Sequence, residues 1–305
     1  MKTKVPLLVG IFFALAGCAP MHYQREAAMY PDRPDPRPWR VVADRTVAGF
    51  EFPESVGCDA NEGVLYVGSF GGTELKPLEK DGKGYISKVA RDGRLLEARV
   101  FDVTMNKPKG IWIAGTRLWV TDIDGVWIFD TRTRKGRKLM IPGAQFANDT
   151  AVSGGVLYVT DNLSDSIFRI EPADFLDAAV QPRIAPAWTQ RGINPNGIWP
   201  ARDGTMLIVG FAPGSTRGIH TLGRGGEMST LLQPFGELDG VYETRDGGLL
   251  VTDWTTGSLN YWSLERGLMQ LARDFKGPAD FCVMGDTVYV PDLVKSELRI
   301  VRLGK

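Results

Sequence analysis

The sequence predicts an all-β protein, a six-bladed β-propeller of four-stranded antiparallel blades closed by the N-terminal strand. Three observations carry this expectation. The 305 residues include 36 Gly and 19 Pro with 14 Phe, 8 Tyr and 8 Trp, a composition that favours short strands punctuated by turns over long helices. One unit, two apolar strands around a tight turn, recurs six times, as a repeat architecture requires. Within the units apolar residues alternate with a period of two, which excludes helical solenoids of similar repeat length. Charge adds a further exclusion. The 36 basic and 36 acidic residues cancel, so no global field steers polyanions, and nucleic acid is not an expected partner.

The first element, residues 1–17, reads as a signal peptide. Lys2 and Lys4 precede an apolar run from Val5 to Ala16, shorter than the about 20 residues a membrane-spanning helix needs. Its end, Leu15-Ala16-Gly17-Cys18, resembles the lipobox of bacterial lipoproteins. That resemblance implies a diacylated Cys18 as mature N-terminus, a membrane anchor, and, with Ala19 following, an outer-membrane location facing the periplasm. Residues 18–38 carry Pro20, Pro31, Pro34, Pro36 and Pro38 without hydrophobic period. They read as an extended tether with a reach on the order of 60 Å. His22 falls in this tether and is not a catalytic candidate.

The propeller is expected over residues 39–305. Its units open at Glu54, Lys109, Asn148, Asn196, Asp239 and Ala279, 39 to 55 residues apart, the size of a four-stranded blade. Their second strands are Val64–Val67, Leu118–Val120, Val156–Val159, Met206–Val209, Leu249–Val251 and Val288–Val290. Turn signals such as Gly154-Gly155 and Asp246-Gly247-Gly248 separate the two strands of each unit. The last unit stops after a third strand, Leu298–Val301, so Arg40–Ala43 or its neighbourhood is expected to supply the missing outer strand and leave no open edge.

The six opening positions converge on the channel axis. Glu54, Asn148, Asn196 and Asp239 bring side-chain oxygens from four blades, the ligand type that calcium or another hard divalent cation takes. No His or Cys joins them, which disfavours zinc and copper. Asn or Asp before Gly can equally serve the blade's tight turn. At this column the chain resembles the senescence marker protein/gluconolactonase family and the related phosphotriesterase-like and paraoxonase-like propellers, through Pro53-Glu54, Asn148-Asp149, Pro195-Asn196-Gly197-Ile198-Trp199 and Leu238-Asp239-Gly240. The resemblance runs from about Phe50 to the C-terminus. It implies a metal-dependent hydrolase of lactones or related esters acting on a small molecule, with the four residues as ligands and Asp239 as catalytic base or nucleophile as well. The alternative is a non-catalytic, lipid-anchored platform for ligand binding or protein assembly.

Several residues depart from that pattern or stand beside it. Lys109 occupies the second blade's column position, where an ammonium competes with a cation unless its stem carries the charge away. Phe146 stands two residues before Asn148, where sugar lactonases often hold an Arg, so an apolar substrate is expected over a polyhydroxylated one. With Trp199 these residues form the expected substrate-binding set. His220 falls in an outer-strand context. Asp122, Asp161, Asp253 and Asp292 each end a second strand and are expected to cap the following turn. Trp112, Trp119, Trp127, Trp199 and Trp254 are expected to pack between blades, with Trp199 and Trp254 able to line the channel mouth. The basic run from Arg132 to Lys138 reads as a solvated outer hairpin. Cys58 and Cys282 fall one strand position out of step in neighbouring units, hence on different faces, and are expected to be buried, unpaired thiols.

Overall fold

The computed structural model describes residues 39–305; the segments expected to be a signal peptide (1–17) and a tether (18–38), with Cys18, lie outside the described residues. The chain is a ring of six four-stranded antiparallel sheets. Blade 1 comprises β2 (Pro53–Asp59), β3 (Val64–Ser69), β4 (Tyr85–Ala90) and β5 (Leu95–Glu97). Blade 2 comprises β6 (Pro108–Ala114), β7 (Arg117–Asp122), β8 (Gly125–Asp130) and β9 (Gly136–Met140). Blades 3 and 4 are β10 (Ala147–Ser153), β11 (Val156–Asp161), β12 (Ser166–Glu171) and β13 (Arg183–Thr189), then β14 (Pro195–Pro200), β15 (Met206–Gly210), β16 (Arg217–Leu222) and β17 (Met228–Gly236). Blade 5 is β18 (Leu238–Glu243), β19 (Leu249–Asp253), β20 (Ser258–Ser263) and β21 (Gly267–Ala272). Blade 6 is β22 (Cys282–Met284), β23 (Thr287–Asp292) and β24 (Glu297–Gly304), completed by β1 (Arg40–Ala48). As expected, the N-terminal strand closes the ring: β1 pairs antiparallel with β24, Arg45 opposite Ile300 and Val47 opposite Leu298.

Five of the six inner strands meet their partners through the same kind of irregularity, and β22 pairs with β23 without one. The register of β2 against β3 shifts between Pro53 and Ser55, and equivalent shifts fall between Pro108 and Ile111, Ala147 and Thr150, Pro195 and Ile198, and Leu238 and Val241. A bulge of this kind re-aims a side chain at the price of one unpaired residue. The residues inside these bulges include Glu54, Lys109, Asn148, Asn196 and Asp239, so the local defect turns the column toward the axis. Hairpin ends use glycine where φ must be positive. Gly154 and Gly155, at φ 58° and 81°, turn β10 into β11.

The core lies between blades. Val56, Leu65, Val67 and Val89 of blade 1 pack on Tyr289, Leu298 and Ile300 of blade 6, while Trp119, Val126 and Ile128 of blade 2 pack on Leu157, Val159 and Phe168 of blade 3. Trp119 also donates through Nε1 to the Ala173 carbonyl at 2.8 Å, in keeping with an inter-blade role. The basic run is held more firmly than a solvated turn would be. Arg134 pairs with Glu97, Lys138 with Asp122 and Asp124, and Arg137 donates to the carbonyls of Phe175, Asp177 and Val180.

The cysteines overturn the sequence expectation. Cys58 and Cys282 form a disulfide, with Cα atoms 5.7 Å apart. The one-position offset was read correctly but its consequence is the reverse: blades pack face to face, so side chains of neighbouring sheets meet when they point opposite ways around the ring. A Cβ on Gly57 would strike Ile111 of blade 2, so the next residue, Cys58, faces blade 6. The bridge spans 224 residues of chain. By the chain-entropy relation a loop of that length stabilises by about 5 kcal/mol. The double variant Cys58→Ser, Cys282→Ser should therefore unfold at markedly lower denaturant than the oxidised protein, with the reduced wild type matching it; equal midpoints would contradict this.

Candidate metal and active site in the channel

The Val-Thr-Asp and Val-Pro-Asp ends of the second strands build the column. Three of the four aspartates cap the following turn as expected, Asp161 accepting from Ser164 N at 2.9 Å, Asp253 from Thr255 N at 2.9 Å and Asp292 from Lys295 N at 3.1 Å, whereas the Asp122 carboxylate accepts from Asn106 N, Lys107 N and Lys138 Nζ instead. They also grip the chain that leads into their own blade's inner strand. Asp122 accepts from Lys107 N, Asp161 from Gln145 N and Phe146 N, Asp253 from Glu237 N, and Asp292 from Lys276 N and Gly277 N. The threonines reach forward. Thr121 Oγ1 donates to the Asn148 carbonyl, Thr160 Oγ1 to that of Asn196, and Thr252 Oγ1 to that of Ala279. The second strands of blades 2, 3 and 5 thus each fix a column residue of the next blade. Asp161→Ala should leave part-buried N–H groups unpaired at roughly 1–3 kcal/mol each, lowering the melting temperature, while Asp203→Ala, on an exposed turn, changes it less.

Glu54, Asn148, Asn196 and Asp239 are all buried. Three acceptors in this set have no hydrogen-bond partner: Glu54 Oε2, Asn196 Oδ1 and Asp239 Oδ1. Orphaned buried oxygens are rare because each forfeits its solvation. The second oxygen of Asp239 accepts from Trp254 Nε1 at 2.9 Å, and Asn196 Nδ2 donates to the Leu238 carbonyl at 3.3 Å, which orients the free oxygen of each. Burial pushes the carboxyls of Glu54 and Asp239 well above the usual range, reinforced at Glu54 by the charges of Asp239 and Asp280 and at Asp239 by that of Asp280. The set therefore fits a hard cation, which would supply what the three oxygens lack. Among the described residues no cluster of three or more His, Cys, Asp or Glu stands as a metal site; this donor set is two carboxylates and two carboxamides.

Lys109 is wholly buried, and its stem does carry the charge out of the ring's plane. Nζ donates to the carbonyls of Lys107 and Ala147 at 3.2 and 3.3 Å, both preceding the column, and lies 4.2 Å from the centroid of the Phe146 ring. Desolvation lowers its pKa to about 8, against the opposing pull of Glu54. On this side of the ring Phe146, Phe211 and Trp254 are partly exposed, the last two edge to face with centroids 5.3 Å apart. The longest connection of this side, residues 70–84, is pinned by the buried Lys107–Asp81 pair at 2.8 Å.

Trp199 lies at the other end of the channel, packed at a tilt between Trp112 and Tyr242, so it shares no surface with Phe146. There it lines a cavity of about 120 Å³ together with Asp149 and Asp280. These two aspartates, one residue past the column, escaped the sequence reading. Both are buried, and desolvation raises both, Asp280 to about 7. Asp149 accepts from Ile198 N of the next blade at 2.8 Å, and Asp280 from Ser55 Oγ at 2.9 Å. The signal that marks them is Gly at the same position in the blade before each: a Cβ on Gly110 or Gly240 would collide with Asp149 or Asp280. His220, on β16, meets Thr230 Oγ1 at 3.3 Å and takes no part in the channel.

No protein-family model and no curated protein matches the chain. Solved structures match its fold. A gluconolactonase-like protein superposes with a TM-score of 0.64 at 12% identity, over 88% of this chain and 98% of its own. A streptogramin B lyase gives 0.59 at 13% identity, over 86% and 98%. A catalytically inactive virginiamycin B lyase variant from Staphylococcus aureus, with quinupristin, gives 0.57 at 14% identity, over 87% and 99%. At these identities the likeness establishes the architecture, and the chain is a six-bladed β-propeller.

Proposed function

We propose that this propeller is a metal-dependent hydrolase of lactones or related esters, with Glu54, Asn148, Asn196 and Asp239 as ligands of calcium or another divalent cation. The observation that carries the reading is the trio of buried oxygens without donors, delivered by three different blades. A cation bound there supplies Lewis acidity toward a carbonyl or a water. The chain's own residues then handle orientation and protons. Trp254 holds one oxygen of Asp239 and leaves the other toward the column, where it is placed to take a proton from an attacking water. The inactive lyase variant to which the fold is similar differs from its parent by a histidine replacement. Here the described residues contain only His220, on a third strand, which favours carboxylate chemistry. A calcium titration followed by thermal unfolding and an ester panel tests the proposal; no binding and no metal-dependent turnover would refer the chain to the platform class.

Substrate preference follows from the mouth. Phe146, Phe211 and Trp254 offer dispersion and water exclusion in place of charge-assisted bonds. Wild type should hydrolyse aryl-substituted esters and lactones faster than polyhydroxylated sugar lactones, and Phe146→Arg should narrow the ratio. An unchanged ratio removes Phe146 from the substrate's surface. The proposal carries with it a lipid anchor at Cys18, for which the mass and N-terminus of the mature protein are the test.

A further inference from the structure

Lys109, expected in the substrate-binding set, is a buried charge in the column whose part in the reaction that expectation leaves unspecified. An ammonium has three N–H donors. Two are used on the Lys107 and Ala147 carbonyls, both on the side of Phe146 and Trp254, and the third has no acceptor among the described residues. Glu54, the nearest opposing charge in the column, keeps Oε2 unpaired, so the lysine is not there to neutralise it by contact. The Phe146 ring, its centroid 4.2 Å from Nζ, steadies the cation through its face but offers no carbonyl or carboxylate oxygen, which leaves the third N–H for an acceptor that a ligand brings.

Resting on the hydrolase reading, we propose that Lys109 is the oxyanion donor of the site, its free N–H taking the negative oxygen that develops during ester or lactone cleavage. Water adds to the carbonyl carbon, its proton passes to Asp239, and the C=O electron pair moves onto the oxygen facing Nζ. Collapse restores the carbonyl, breaks the C–O bond and returns the proton to the departing alkoxide oxygen. The donor is preorganised, since two carbonyls already hold it and it need not reorient as charge develops.

The test uses a phenylphosphonate monoester, a tetrahedral anion with an aromatic body, titrated calorimetrically in calcium into wild type, Lys109→Met and Lys109→Arg. Lys109→Met should bind it roughly 10- to 100-fold more weakly, the size of a lost charge-assisted hydrogen bond. Lys109→Arg should recover part of the loss, and KM for a neutral aryl ester should move little while kcat falls. Calcium-dependent melting of the same variants reports folding and metal binding separately; the gain should persist in Lys109→Met. Phosphonate affinity unchanged in Lys109→Met, with the calcium gain intact, overturns the lysine's role and leaves the hydrolase reading standing. Absence of the calcium gain in wild type overturns both.

Discussion

Asp239→Asn and Glu54→Gln should each raise the melting temperature of the metal-free protein and abolish its response to calcium. The opposed signs follow from the same burial. Without a cation, two carboxylates share a desolvated channel and repel each other, so converting one to a neutral isostere removes a buried charge and stabilises the fold. With calcium, wild type gains by mass action about 2.7 kcal/mol at a hundred times the dissociation constant, roughly 5–10 °C for a chain of this size; a variant that has lost a charged ligand does not. Turnover in Asp239→Asn should fall by roughly 10²- to 10⁴-fold, the range of a lost general base. A purely structural column predicts another pattern, in which both variants lower the melting temperature with and without calcium. That result would remove the metal from the channel.

The blade count, the closing strand and the column were legible because they are repeated. Six aligned units average out local irregularity, and the register of the inner strands puts Glu54, Lys109, Asn148, Asn196 and Asp239 at equivalent positions. What was hidden depends on contacts between blades, which a repeat alignment does not display. The Cys58–Cys282 bridge needed the face-to-face packing of neighbouring sheets. Asp149 and Asp280 needed the glycines opposite them, Gly110 and Gly240, which in isolation read as turn residues. Lys109 sat in the right column, but only the carbonyls of Lys107 and Ala147 reveal on which side of the ring its charge lies. The position of Trp199 was obscured for a related reason: a residue three past the column points along a strand that descends away from the mouth.

Metal-free protein should lose stability as pH rises from about 5 to 8, against the habit of many globular proteins. Burial raises Asp280 to about 7 and moves Glu54, Asp149 and Asp239 upward as well. Between pH 4 and these raised values the folded chain holds protons that the unfolded chain has released. Stability therefore falls with rising pH, by at most about 1.4 kcal/mol per pH unit for each group. The groups that pull the other way act mostly elsewhere; Glu74, Asp81, Asp124 and Asp246, all lowered by their partners, matter only in the acid range. Asp130, lowered to about 2 by backbone hydrogen bonds, contributes only as pH falls below 4. Lys109, lowered to about 8, favours the folded state only as pH climbs beyond 8. His220, lowered by burial, opposes the trend below about 6.5 and can be silenced with His220→Gln. In that background Asp280→Asn should flatten part of the slope with or without calcium, because Asp280 lies outside the ligand set. Calcium should flatten the part owed to Glu54 and Asp239, since the cation displaces their protons and binds better as pH rises. Melting temperatures of His220→Gln in chelator that climb steadily from pH 5 to 8 would show that the channel carboxylates ionise without cost, and the electrostatic basis of the site would fail with them.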